Sequence, residues 1–116
     1  MQCIQKTDIE NVYLMASGPI PPNPAELLSS RAMDELLLEA YNMFDIILID
    51  TPPVLAVTDA QILANKCDGI VLVVRSEKTE KDKILKATQI LDKASGKLLG
   101  AVLNDKREEK ERYGYY

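Results

Sequence analysis

The stretch "FDIILIDTPPVL", residues 44 to 55, sets Asp50 directly after four apolar residues and places Pro52 and Pro53 just beyond Thr51. In an open parallel sheet, ligands bind at the carboxyl ends of the strands, and Asp50 falls at such an end. A carboxylate there can orient a magnesium ion, usually through a bound water. The two prolines stop the backbone from coiling at once into a helix and leave room beside the ion. This is the chemistry of a nucleotide phosphate site. The competing reading is an aspartate that caps a turn at the end of a strand.

A magnesium-orienting carboxylate needs a second element that holds the phosphates. That element is G-x-x-x-x-G-K-[ST], whose N–H groups and lysine surround them. The Gly-Lys pair of this sequence, Gly96-Lys97, is followed by Leu98, and Leu91 stands where the first glycine would have to be. The pattern also puts Gly96 at a helix C-terminus, where the dipole repels phosphate. The sequence contains no phosphate loop.

A second set of reactive groups closes the chain. "DKREEKERYGYY", residues 105 to 116, holds four acidic and four basic residues that cancel. Apolar anchors are lacking, which predicts a mobile tail over 106–116. Three of the five tyrosines, Tyr113, Tyr115 and Tyr116, fall in the last four positions. They are either chance members of a polar tail or exposed acceptors for phosphate. Each phosphate adds about −1.5 to −2 of charge, so full modification would add roughly −5 to −6.

These groups need a scaffold. "NVYLMAS" (11 to 17) predicts a short strand that stops at the loop "GPIPPNP", which holds four of the six prolines. Asn23, Pro24 and Glu26 predict a helix start, with Leu27 and Leu28 on its apolar side. From Ser30 onward, Met33, Leu36, Leu37, Ala40 and Tyr41 keep the spacing of an amphipathic helix. Residues 45–50 and 69–75 are short continuous apolar runs, which predicts strands covered on both faces. Thr58 predicts a helix to about Lys66, with Ile62 and Leu63 inward. Thr79 predicts a longer helix with an inner stripe of Ile84, Ala87, Thr88, Leu91 and Ala94, ended by Gly96. "KLLGAVLN" (97 to 104) completes the set as a strand. Strands alternating with helices imply an α/β layered sheet.

Composition narrows the function. A chain of 116 residues makes one domain with a modest core. A hydrophobic share of 47%, a charged share of 28% and a net charge of −4 describe a globular chain and argue against a nucleic-acid partner. The lysines between 78 and 86 alternate with Glu80 and Asp82, as on a solvated helix face. Two cysteines, Cys3 and Cys67, with no histidine exclude a zinc pattern and read as reduced thiols in a cytosolic setting. Apolar runs of six or seven residues are too short to span a membrane, and a signal-peptide core is missing. Membrane association must then come through a partner.

In order and spacing, "NVYLMASGPIPPNPAELLSS", "FDIILIDTPPVLAVTDAQILA", "DGIVLVVRSEKT" and "LLGAVLND" resemble the C-terminal half of the bacterial tyrosine kinases. These are the autokinases of capsule and exopolysaccharide operons, and the resemblance covers residues 11 to about 105. "PPNPAELL" followed by "DTPPVL" and Asp59-Ala60 separates this group from septum-site and partition ATPases. The resemblance implies a P-loop NTPase-like parallel sheet flanked by helices, present as a partial domain over residues 1–105 and followed by the tyrosine tail.

It also implies roles. Asp50 would be the Walker B carboxylate, catalytic and magnesium-holding, with Thr51 beside it. Asn104 matches a position that contacts the adenine base, or is simply an asparagine at a turn. Arg75 would face the nucleotide or merely end a strand, and the second fits better. Asp59 complements a helix dipole. Tyr113, Tyr115 and Tyr116 match the tail phosphorylated by a neighbouring subunit. The implied cofactors are ATP and Mg2+. The implied partners are a membrane adaptor that activates the kinase, further copies in a ring, and a tyrosine phosphatase, at the cytoplasmic face of the membrane.

The family's Walker A lysine, its Walker A′ aspartates and its ring-forming glutamate-arginine motif lie upstream of "NVYLMAS". The expectation is therefore a chain that does not phosphorylate tyrosine alone. A non-catalytic interaction protein, serving as substrate for an intact kinase, is the reading from another class. A partition-type ATPase fragment is a third, weakened by the tyrosine tail.

Overall fold

The structure is a computed structural model that describes residues 3–94 and 97–105. Its core lies between two helices, α3 (Asp59–Ala64) and α4 (Lys81–Ala94). The expected stripe of α4 faces inward: Ala87 and Leu91 are buried, Leu91 to 1% exposure, and Ile84, Thr88 and Ala94 are half-buried. Opposite them, α3 buries Ala60, Leu63 and Ala64. Three alanines among these five buried residues let the helices approach closely, and the two leucines fill the space between them.

Helix α4 links two parallel strands, β3 (Ile70–Arg75) and β4 (Leu98–Asn104). They pair from Ile70 with Leu98 to Arg75 with Asn104, with one irregularity between Ile70 and Val71. This is the parallel, helix-flanked α/β unit expected. Its cover differs from expectation, however. Ile70, Leu72 and Val74 are half-buried, whereas Val71 and Val73 on the other face are 54% and 60% exposed. Among the described elements, none covers that second face.

Ahead of this unit lie α1 (Pro24–Leu28) and α2 (Arg31–Met43). The Ser30 hydroxyl accepts the Met33 amide at 3.3 Å and so caps α2. Asn23 does not cap α1; its side-chain amide donates instead to the Glu26 carboxylate at 2.8 Å. Met33, Leu36, Leu37 and Ala40 are half-buried, while Tyr41 stays 69% exposed and lies off the stripe. Helix α1 packs on α3, and an ion pair from Lys66 to Asp34 ties the end of α3 to α2.

The strand expected over 11–17 is shorter, β2 (Tyr13–Met15), and it pairs antiparallel with β1 (Ile4–Lys6). Thr7 tightens the connection by donating from its hydroxyl to the Val12 carbonyl at 2.7 Å, and Asn11 takes the left-handed conformation there. The Tyr13 ring leans on Phe44 with centroids 5.4 Å apart, which fixes the hairpin to the end of α2.

Residues 46–50 depart most from expectation. They form no strand, and their main chain joins no hydrogen bond among the described residues. Ile46 is 79% exposed and Leu48 91%, so the run is not covered on both faces. The cause is lack of a neighbour. Continuous apolar sequence favours a buried strand, but a ladder needs a second strand alongside.

Thr58 likewise takes helical angles, so its side chain caps nothing. The end of α4 assigned to Gly96 lies outside the described residues. No described helix is long and apolar enough to cross a membrane.

Leu91→Ala should lower the unfolding free energy by about 2–5 kcal/mol, as deletions of fully buried leucines do. Urea unfolding followed by circular dichroism measures it. A change below about 1 kcal/mol would contradict the placement of the core.

Candidate functional site

Asp50 is exposed at the end of the apolar run, and Thr51 beside it is half-buried. The two prolines hold the next residues open until the Ala56 amide donates to the Pro53 carbonyl at 3.0 Å and the chain turns. Helix α3 then begins at Asp59, half-buried in its first turn. The carboxylate therefore stands on backbone outside any helix or strand, with a hydroxyl following and a short turn between it and the helix.

Asn104 and Arg75 stand opposite each other at the carboxyl ends of β4 and β3. The Ser76 amide donates to the Asn104 carbonyl at 2.8 Å. The Arg75 guanidinium donates to the Asp105 carboxylate at 3.1 Å. The Thr79 hydroxyl accepts the Arg75 amide at 3.2 Å, while the Thr79 amide donates to the Arg75 carbonyl at 3.1 Å. Glu77 and Asp105 take left-handed backbone angles, with φ near 62° and 60°. Arg75 thus closes a clamp across two strand ends, which agrees with its reading as a strand terminator. Both partners of the ion pair are more than half exposed, so it contributes only about 0–1 kcal/mol. Its effect is to tie the end of β4, where the Asn104 side chain is exposed, to the end of β3.

The fit to a magnesium nucleotide is partial. Among the described residues, no group of three or more cysteine or acidic side chains could hold a metal ion. An ion at Asp50 would need waters and phosphate oxygens for its remaining ligands, which is how magnesium is usually held. The phosphate-holding loop has no counterpart anywhere in the 116 residues. Tyr113, Tyr115 and Tyr116 lie outside the described residues.

Sequence reasoning missed the Arg75–Asp105 clamp and the groove beside Lys66. Their partners are 30 and 32 residues apart, and no periodicity links them. The groove, about 660 Å3, is lined by Ser29, Asp34, Leu37, Ile62, Asn65 and Lys66.

Cys67 lies between α3 and β3, where its carbonyl accepts from the Lys97 ammonium at 3.2 Å. Burial pushes its thiol above the ordinary value, Asp68 adds to the rise, and Lys97 offsets part of it. The folded chain therefore holds the thiol proton longer than the unfolded chain does. That contribution to stability is complete below the ordinary thiol range and is lost as pH rises through the folded value. Iodoacetamide should alkylate Cys67 more slowly at neutral pH than it alkylates free cysteine. Asp68→Asn should shift the rate profile toward lower pH, and an unchanged profile would contradict the charge effect.

No family model matches the chain. Tyrosine-protein kinase YwqD of Bacillus subtilis (strain 168) is 52% identical over 116 residues, covering 99% of this chain and 49% of that protein. The crystal structure of the chimerical protein CapA2B2 superposes with a TM-score of 0.88 at 41% identity, covering 92% of this chain and 47% of that one. The VpsO kinase domain gives a TM-score of 0.84 at 30% identity, covering 91% and 52%. The chain spans about half the length of the curated relatives it matches.

Proposed function

The chain is homologous to the bacterial tyrosine-protein kinases, and we propose that it is the C-terminal portion of an ATP-dependent protein-tyrosine autokinase. The observation that carries this reading is the 52% identity to a tyrosine kinase across nearly the whole chain. Phosphoryl transfer depends on positioning and on neutralising phosphate charge. In this reading bound ATP supplies the phosphoryl group and Mg2+ neutralises it. Asp50 holds the ion through a water, and Thr51 offers a hydroxyl beside it. Asn104 meets the adenine base from the end of β4, which Arg75, Ser76 and Asp105 hold in place. Tyr113, Tyr115 and Tyr116 are the acceptors.

The rest of the reading concerns context. The intact kinase governs capsule or exopolysaccharide synthesis and export. It works at the cytoplasmic face of the membrane through an adaptor protein, associates with its own copies, and is reset by a tyrosine phosphatase. Phosphate added to the tail drives it away from a neighbour's site by charge repulsion. The absence of a phosphate loop favours a second reading for these 116 residues on their own, as a substrate or interaction partner of an intact kinase.

Three measurements test these roles. The purified 116-residue chain should transfer no radiolabel from ATP, and labelled tyrosine would overturn its inactivity. In a chain of the relatives' full length carrying this sequence, Asp50→Asn should lower tyrosine phosphorylation by about 100-fold or more, the scale at which a removed electrostatic stabiliser acts. Mass spectrometry of that chain should find phosphate at Tyr113, Tyr115 or Tyr116. Label confined to Tyr13 or Tyr41 would contradict the tail's role.

A further inference from the structure

The outward surface of α4 is uneven in charge. Ala87 and Leu91 face the core, whereas Lys83, Lys86 and Lys93 are exposed. At about 100° per residue these three lysines fall within roughly 80° of arc and about 15 Å of helix length. The helix's two acids, Asp82 and Asp92, lie to one side of that row together with Lys81. Among the described residues Lys83 meets Glu80 at 3.9 Å, and Lys86 and Lys93 join no ion pair. The row is a stripe of cations with room for an anionic partner.

The occupant follows from reach and from charge. Residues 106–116 continue from Asp105, which its ion pair with Arg75 holds at the end of β3, where the turn into α4 begins. The span from Asp105 to Tyr113 reaches at most about 26–29 Å, and a helix of α4's length is about 21 Å long. Every lysine of the row is within that reach. Residues 106–116 hold four basic and three acidic side chains, so unmodified they carry +1 and the row repels them. Phosphate on Tyr113, Tyr115 and Tyr116 takes the segment to roughly −4 to −5. The interaction changes sign on modification. A second copy presents the same row, but a tether keeps the segment near its own helix at an effective concentration of about millimolar.

We propose that residues 106–116, once phosphorylated, dock on the Lys83, Lys86 and Lys93 row of their own chain. This rests on the reading of Tyr113, Tyr115 and Tyr116 as phosphate acceptors. The phosphate oxygens accept charge-assisted hydrogen bonds from the lysine ammonium groups. The row therefore reads the modification: it releases the unmodified segment and retains the modified one along α4.

The test uses the 116-residue chain with phosphotyrosine installed by semisynthesis at positions 113, 115 and 116, compared with the unmodified chain. Lysine acylation is followed residue by residue by mass spectrometry. Lys83, Lys86 and Lys93 should react about 3-fold or more slowly in the phosphorylated chain, with the docked state predominant, while Lys81 serves as the control on the other side of the helix. Ionic strength of about 1 M, where the screening length is about 3 Å, should abolish the difference. Lys86→Glu with Lys93→Glu should return Lys83 to its rate in the unmodified chain. Both replaced side chains are exposed, so the circular dichroism of the variant should not change.

The proposal is overturned by equal rates in the two chains, by slowing that extends equally to Lys81, or by slowing that grows with chain concentration and so reports docking on a second copy. Phosphate installed by synthesis separates docking from the kinase reading. A full-length chain that carries no phosphate on these tyrosines overturns their role as acceptors and leaves the docking result standing. Tail phosphate in the full-length chain without protection of the row does the reverse.

Discussion

Peptide groups in extended backbone must find hydrogen-bonding partners, and in this chain the supply is uneven. Strands β3 and β4 satisfy one another along six paired positions, and β1 and β2 do so along three. Residues 46–50 have the composition of a sheet's centre and none of its bonds. The rest of the architecture follows from this imbalance. The buried core collects between α3 and α4, because helices satisfy their own backbone and can pack wherever apolar stripes meet. The strands contribute less, since a pair of strands without neighbours keeps one face wet.

The same distinction explains what could be read from residues alone. The stripe of α4 was legible because Ile84, Ala87, Leu91 and their neighbours encode their inward face by spacing, and α3 needed only to lie opposite. Ser30 was legible as the start of α2 for the same local reason. Thr58 was not, because its cap depended on backbone angles that the turn after Pro53 decides. The hairpin strand at Ile4 was invisible, since Gln5 and Lys6 carry no alternating pattern. The run at 46–50 gave the strongest strand signal of all. It failed because propensity belongs to a segment and pairing belongs to its surroundings.

The candidate site divides along the same line. Asp50 is a candidate from the sequence because its signal is local: a carboxylate after apolar residues, with two prolines following. The pairing of Arg75 with Asp105 was not legible there, because it joins two strand ends that only the parallel register of β3 and β4 brings together. That clamp ties the strand end that carries Asn104 to the end of β3. In the reading proposed above, Asp50 and the strand end at Asn104 are the parts of a nucleotide site that these residues supply. The groups that would grip the phosphates are not among the 116 residues, and the chain spans about half the length of relatives such as YwqD.

The placement of Asp45 and Asp50 at the two ends of "IILI" carries one more implication. Four uncharged, unbranched-by-proline residues with open donors and acceptors make a short segment prone to cross-β stacking. Charges at its margins are the usual safeguard against that outcome. Asp50 therefore has a colloidal duty beside the chemical one proposed for it. A neutral residue in its place removes a gatekeeper, so solubility is at stake in any substitution that tests the proposed role.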